Sequence, residues 1–292
     1  MVVRVRALSA RGFKHRLPTW PVLLMWLIGT AVAIAWAAPF VWMVSTSVKP
    51  VGEVMTRQVE WLPRHVTFDN YARVLEKPVL RWLFNSLVVS TLSTGVSLLT
   101  GAMAGYALAR MHFPGRNIFF FLVLAALMIP TEMTIVPLFI GALRAGIVNN
   151  YAALVLPSLA SVLSVYLFRQ FFLTLPRELE DAAFIDGAGR FRTFFMVALP
   201  LAKPAVVAGA ILLFTTYWNA FLWPLLVAFK EDMKTLPVGM AAFAPITGQQ
   251  TQIQGFAPAM AAMTILTLPS LVVFLVLQRH FIEGVTSAGL KG

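Results

Sequence analysis

The chain has 292 residues, 59% hydrophobic and only 12% charged, which is too apolar for a water-facing globule without a very large exposed patch. The bilayer is therefore the solvent for most of it, and the formal charge of +11 belongs to the loops and ends of membrane spans, where anionic lipid attracts it, rather than to a nucleic-acid site. The absence of cysteine rules out disulfides and Cys-based metal or redox sites.

A helix needs about 20 apolar residues to cross a hydrocarbon core at about 1.5 Å per residue. Six runs of that kind are predicted, near 20–47, 83–109, 117–141, 151–172, 204–229 and 257–279. Backbone amides in lipid must bond within their own segment, so the expected fold is an all-α, polytopic bundle of six transmembrane helices. A basic N-terminus, residues 1–19, precedes the membrane domain of residues 20–279, and a tail of residues 280–292 follows it. Ala35-Trp36-Ala37 is similar to a signal-peptidase site, but the apolar run continues past Pro39 through Phe40, Val41, Trp42, Met43 and Val44. That is longer than the apolar core of a signal peptide, so an uncleaved anchor is expected.

The basic residues set the expected orientation. With the N-terminus inside, the cytoplasmic segments hold Arg4, Arg6, Arg11, Lys14, Arg16, Arg110, Arg116, Arg169, Arg177, Arg190, Arg192, Lys203, Arg279 and Lys291, the larger part of the 23 cations. This bias agrees with the positive-inside rule and places both termini and residues 173–203 in the cytoplasm.

Residues 173–203 are a charged, amphipathic interruption between spans four and five. Pro176 can start a helix, Glu178, Glu180 and Asp181 crowd its first turn where the dipole favours anions, and Gly187 can end it. Ala182 and Ala183 leave part of the surface nearly bare, so another protein's groove can approach the backbone, while Phe184 and Ile185 offer apolar anchors. A second helix, Arg190 to Leu199, is expected to stop at Pro200, with Phe191, Phe194 and Phe195 packed on the bundle and Arg190 and Arg192 in water.

The acid–Ala–Ala triplet at Asp181-Ala182-Ala183, then Asp186-Gly187 and Leu199-Pro200, resembles the EAA loop of bacterial ABC importer permeases. Further stretches agree: Pro39-Phe40-Val41-Trp42, Tyr106 to Arg110 with Phe113 to Arg116, Met128-Ile129-Pro130, Trp218-Asn219 with Phe221 to Pro224, and the tail Gly284 to Gly292. The chain is similar to carbohydrate-type permeases of the branch containing the G subunit of the maltose transporter, which have the type I importer (MetI-like) fold. It departs from them at Asp181, where the family usually has Glu, and in its tail.

The resemblance implies an alternating-access pore formed with a second permease as a heterodimer. Two ATPase subunits carrying ATP and Mg would drive it, and an extracytoplasmic solute-binding protein would feed it, in a bacterial inner membrane. Glu178, Glu180, Asp181, Ala182, Ala183, Phe184, Ile185, Asp186, Gly187 and Pro200 are then the residues expected to couple to the ATPase. The chain itself has no GxxxxGK[ST] loop, and Gly187-Ala188-Gly189 lacks the third glycine and preceding strand of a dinucleotide site. No catalytic residue and no cofactor of its own is expected.

The transport path offers fewer signals. Glu132, between Pro130 and Pro137, is the one clear acid inside a span; it either contacts substrate or hydrogen-bonds backbone loosened by the prolines near the interface. Tyr217, Trp218, Asn219 and Trp223 combine aromatic faces with an amide, the types that grip a sugar ring, though a Trp near a helix end also serves as an interface anchor. Asn85 is a further polar candidate, with interhelical bonding as its other reading. Gly101 and Gly105 form GxxxG, for which helix packing suffices. His15, His65, His112 and His280 are too scattered for a metal site. The spans lack Lys and Arg at their centres, which favours a neutral sugar-like solute, with glycerol phosphate as the alternative. A secondary transporter would need more ion-coupling charge at mid-membrane than Glu132 supplies.

Overall fold

A computed structural model describes residues 20–54, 60–244 and 251–289, with the side chains of residues 251–254 and 277–289 outside the description. The basic segment 1–19 and the last residues of the tail, 290–292, lie outside the described residues. Among those described there is helix and no strand, as closed backbone bonding in lipid requires.

In chain order the helices are α1 (Trp20–Ser47), α2 (Asp69–Leu75), α3 (Val79–Arg110), α4 (Arg116–Ala126), α5 (Thr131–Arg144), α6 (Tyr151–Val155) and α7 (Val162–Thr174). They continue with α8 (Glu178–Ile185), α9 (Arg190–Thr193), α10 (Leu199–Leu201), α11 (Lys203–Trp218), α12 (Leu222–Val227), α13 (Leu236–Met240) and α14 (Thr251–Gly289). Four helical stretches are long and apolar enough to cross a membrane alone, and two bent pairs bring the count to as many as six.

Three of the expected spans are not continuous α-helices. The 117–141 run is α4 and α5, bent by 99°, because Pro130 has no amide to continue α4 and pushes Ile129 out of the helical region. The 204–229 run is α11 and α12, parted at Asn219 to Phe221. The 151–172 run keeps a 3₁₀ segment at Leu156–Ala160 around Pro157. At the start of the 83–109 run the helix begins earlier, at Val79. The last helix runs beyond 279, to Gly289, through the first part of the expected tail.

The centre of the bundle is α3, which packs on α7 and α11. Its Gly101 and Gly105 meet α7 so closely that added Cβ atoms would lie 2.1 Å from Ser164 Oγ and 2.8 Å from the Arg169 amide nitrogen. This is the small-residue contact by which helices associate in lipid, where no hydrophobic force separates them from the tails. The buried core beside it joins Ala102, Tyr106, Phe168, Phe172, Phe194 and Ala198. By contrast α1 packs chiefly on α14 and leaves apolar faces such as Trp26, Ile34 and Trp36 exposed.

At the opposite end of α3 the polypeptide 229–240 is folded across the helix. Trp82 Nε1 donates to Glu231 O (2.9 Å), Asn85 Nδ2 donates to Asp232 O and Lys234 O (2.8 Å each), and Ser86 Oγ accepts from the Leu236 amide (2.7 Å). Asn149, in a left-handed conformation at φ 57°, accepts from the Phe229 and Lys230 amides at 2.7 and 2.9 Å, which supplies the orphan donors that follow α12.

Candidate ATPase-docking helix and transport path

The charged segment folds as a short helix followed by a tight turn. Glu178, Glu180 and Asp181 occupy the first turn of α8, where the dipole favours them. Gly187 takes φ 78°; its amide donates to Phe184 O at 3.0 Å and that of Ala188 to Ala183 O at 2.9 Å. This pair of bonds is a Schellman closure, which requires the left-handed residue that glycine provides most cheaply.

The helical period then divides the segment into two faces. Glu178, Asp181, Ala182 and Ile185 lie on the exposed face, with Ile185 at 86% exposure, and Asp186 and Gly187 are exposed in the turn. Ala183 is half-buried and Phe184 borders a cleft shared with Tyr106, Arg110, Arg177 and Arg190. Glu180 points the other way and is only 7% exposed. Its Oε2 accepts a hydrogen bond from the Tyr106 hydroxyl at 3.0 Å, and its Oε1 lies 3.0 Å from Arg110 Nε. That ion pair is Coulombic rather than directional, since neither atom makes a well-aligned hydrogen bond among the described residues. Arg110 also donates from Nη2 to Leu175 O at 2.5 Å. Tyr106 is held edge-on to Phe172, with ring centroids 5.4 Å apart.

Behind α8 the chain does not stop at Pro200 as expected. Phe194–Ala198 is a π turn in which the Leu199 amide reaches back to Phe194 O, and helical structure continues through Pro200 to Leu201, although Pro200 has no amide to give to the preceding turn. The axis turns instead at Ala202, by 75° between Arg190–Leu201 and α11, where Pro204 cannot donate back to Pro200. Phe194 is buried, as expected, whereas Phe191 at 73% and Phe195 at 47% are exposed.

Residues expected along the path fall into two groups. Asn85 is fully buried and spends its amide on the 232 and 234 carbonyls and on the Tyr151 hydroxyl, which donates to its Oδ1 at 2.6 Å. Trp218 is 1% exposed, stacked on Phe214, and donates to Leu266 O at 3.1 Å. Trp223 donates to Ala153 O at 2.9 Å, and the Tyr217 hydroxyl pairs with Ser97 Oγ at 2.6 Å. Glu132 and Asn219 are exposed: Glu132 in the first turn of α5 after the Pro130 break, Asn219 at the gap between α11 and α12, donating to Thr215 O at 2.8 Å. No group of His, Asp and Glu among the described residues can hold a metal ion.

Sequence reasoning did not assign roles to Tyr106 and Arg110 in this site. Their i, i+4 spacing puts them on one face of α3, and that signal was legible; the partner carboxylate, some seventy residues away, was not.

Among the described residues the fold is helical throughout, with broken spans and a charged helix between two of them, the architecture of a multi-pass membrane protein. Residues 97–287 match the family model described as binding-protein-dependent transport system inner membrane component, and the chain belongs to that family. It is 39% identical to the arabinooligosaccharides transport system permease protein AraQ of Halalkalibacterium halodurans, across 92% of this chain and 98% of that one. It is 37% identical to the sn-glycerol-3-phosphate transport system permease protein UgpE of Yersinia enterocolitica, across 70% and 72%. Its fold matches a chain in the crystal structure of a bacterial ABC transporter involved in import of the acidic polysaccharide alginate, with a TM-score of 0.77, 21% identity, and coverage of 91% and 99%. The protein is therefore the permease subunit of an ABC importer, not an enzyme, and works with an ATPase and a solute-binding protein.

Proposed function

We propose that the chain pairs with a second, different permease and two ATPase subunits to import a neutral oligosaccharide or similar sugar delivered by an extracytoplasmic binding protein. ATP and Mg act on the ATPase subunits. The excess of Arg and Lys on one set of loops supports an arrangement with both termini and residues 173–203 in the cytoplasm. The higher identity and coverage against an arabinooligosaccharide permease than against a glycerol-phosphate one favours the sugar over the phosphate. The span centres, which lack Lys and Arg, agree with it. Exposed apolar faces on α1, α4 and α5 are suited to lipid and to the partner permease.

One observation carries the docking assignment. In α8 an almost fully exposed isoleucine, Ile185, stands beside Ala182 and Asp181 on a helix whose other face is anchored by a buried carboxylate. An apolar side chain held out into water at the helix-in-groove spacing fits a cleft on the ATPase. Along the path, Glu132 and Asn219 are better candidates for solute contact than Asn85 and Trp218, whose polar atoms are already committed inside the chain. An exposed carboxylate at a break in a span must face water or protein rather than lipid.

The test is co-purification of the ATPase on the tagged chain from membranes expressing the whole importer. Ile185→Asp and Ala182→Arg are expected to lower ATPase recovery about tenfold or more, as for an interface hot spot, at unchanged abundance of the permease. Undiminished recovery with both variants would remove α8 as the docking element. Calorimetry of the cognate binding protein with arabinooligosaccharides and with glycerol 3-phosphate separates the two solute classes.

A further inference from the structure

We infer that Glu180 is a positioning residue rather than a contact to the ATPase. With Tyr106 and Arg110 it forms a buried strut that fixes α8 to α3, and α3 carries displacement of α8 to the 229–240 segment at its far end. The inference rests on the reading of α8 as the docking helix and assigns one of its acids a different task.

The carboxylate itself gives the first reason. Glu180 is 7% exposed and its two oxygens face the Tyr106 hydroxyl and the Arg110 guanidinium, each at 3.0 Å. A buried carboxylate is tolerable only where such partners replace water. Its neighbours Glu178, Asp181 and Ala182 are exposed on the opposite face, so one short helix separates docking from anchorage by its period.

The covalent routes out of α8 supply the second. Toward α11 the chain passes through Gly187 in a left-handed turn, a π turn at Phe194–Ala198 and a 75° bend at Ala202. Toward α7 it passes through Leu175 and Pro176, outside helical structure. Each such element absorbs motion, as hinges do. The strut bypasses them. It reaches a helix of 32 residues without an internal proline, and Arg110 seizes the Leu175 carbonyl as well, which stiffens the α7 side of the linker.

The third reason lies at the other end of α3. Trp82, Asn85 and Ser86 hold the carbonyls of 231, 232 and 234 and the amide of 236. Asn85 and Tyr106 are separated by about 32 Å of helix, the thickness of a hydrocarbon core. A single rod thus has one end locked to the docking helix and the other to a segment across the membrane.

The test uses the assembled importer in nanodiscs. This chain has no native cysteine, so Lys230→Cys, at an exposed site on the far segment, reports with an impermeant maleimide in the nucleotide-free and the ATP–vanadate states. The labelling rate is expected to change between the two states in the otherwise native chain. In Glu180→Gln and Arg110→Gln that change is expected to shrink about fivefold or more, with ATPase recovery unaffected and the double variant no worse than Arg110→Gln alone. Tyr106→Phe keeps the ring packing and removes only the hydroxyl, so it reads the same link if a charge variant does not accumulate. The inference is overturned if the reporter is insensitive to nucleotide in the native background. It is also overturned if Glu180→Gln or Tyr106→Phe retains the full response, or if Glu180→Gln sheds the ATPase as Ile185→Asp does. Retention of the ATPase by Ile185→Asp would instead count against α8 as the docking site, and the labelling result would still report on the strut.

Discussion

The indole of Trp82 fills the space that a side chain at Gly239 would need: a Cβ on Gly239 would lie 2.1 Å from Trp82 Cε3 and 2.2 Å from Cδ2. The ring is 1% exposed and pinned through Nε1 to Glu231 O, so it cannot move aside without giving up that bond. Gly239→Ala is expected to destabilise the protein by about 1–3 kcal/mol, as overpacking does, seen as a lower thermal midpoint of the detergent-purified importer. Gly95→Ala, in α3 with nothing within 4 Å of the new Cβ, is the control. It should hold or raise the midpoint, because helical glycine costs about 1 kcal/mol relative to alanine.

Asn85 is expected to behave as a structural residue. Asn85→Leu strands two carbonyls and the Tyr151 hydroxyl in a buried site, at about 1–3 kcal/mol for each group left unpaired. The amount of folded chain in the membrane should fall while KM for uptake of a labelled arabinooligosaccharide stays unchanged. A changed KM at normal abundance would return Asn85 to the solute path.

Glu132 and Asn219 should give the opposite pattern. Both are exposed at breaks in spans, so Glu132→Gln and Asn219→Ala remove little that holds the chain together. Membrane abundance is expected to be native, with KM or kcat for the same labelled sugar shifted about threefold or more, the scale of one lost hydrogen bond. Native uptake kinetics in both variants would leave the path to other residues.

The all-helical membrane class and the outline of α8 were legible in the sequence because each rests on local physics. Apolar runs of spanning length have one stable backbone state in lipid, and three acids ahead of a glycine mark a helix start and stop within ten residues. The GxxxG at Gly101 and Gly105 was legible for the same reason. What escaped depends on contacts distant along the chain. An apolar run reads alike whether straight or broken, so the 99° bend before Thr131 and the parting at Asn219 carried only a proline or an asparagine as their trace. Pro200 reads as a stop in the sequence because the π turn ahead of it has no sequence signal. Glu178, Glu180 and Asp181 looked equivalent as first-turn acids, yet Tyr106 and Arg110, from another helix, single out one of them.

A pH effect is expected in the connection between α1 and α2. Glu53 Oε1 lies 2.6 Å from His65 Nδ1, and Glu53 Oε2 accepts from the Arg64 and His65 amides at 3.2 and 3.4 Å. The hydrogen bond with the His65 side chain, aided by the two amides and opposed by partial desolvation, holds the Glu53 carboxyl below its ordinary value of 4.5. A group whose folded value is depressed adds stability that is present above the unfolded value and is lost as the pH falls through the folded one. Hydrogen exchange at the Arg64 and His65 amides, corrected for intrinsic rates, should therefore show steady protection at higher pH and a decline once the pH drops below 4.5. Glu53→Gln cannot ionise, so its protection should be lower from the outset and flat across that range. Superimposable profiles for the two proteins would mean that the Glu53 carboxylate does not hold this loop.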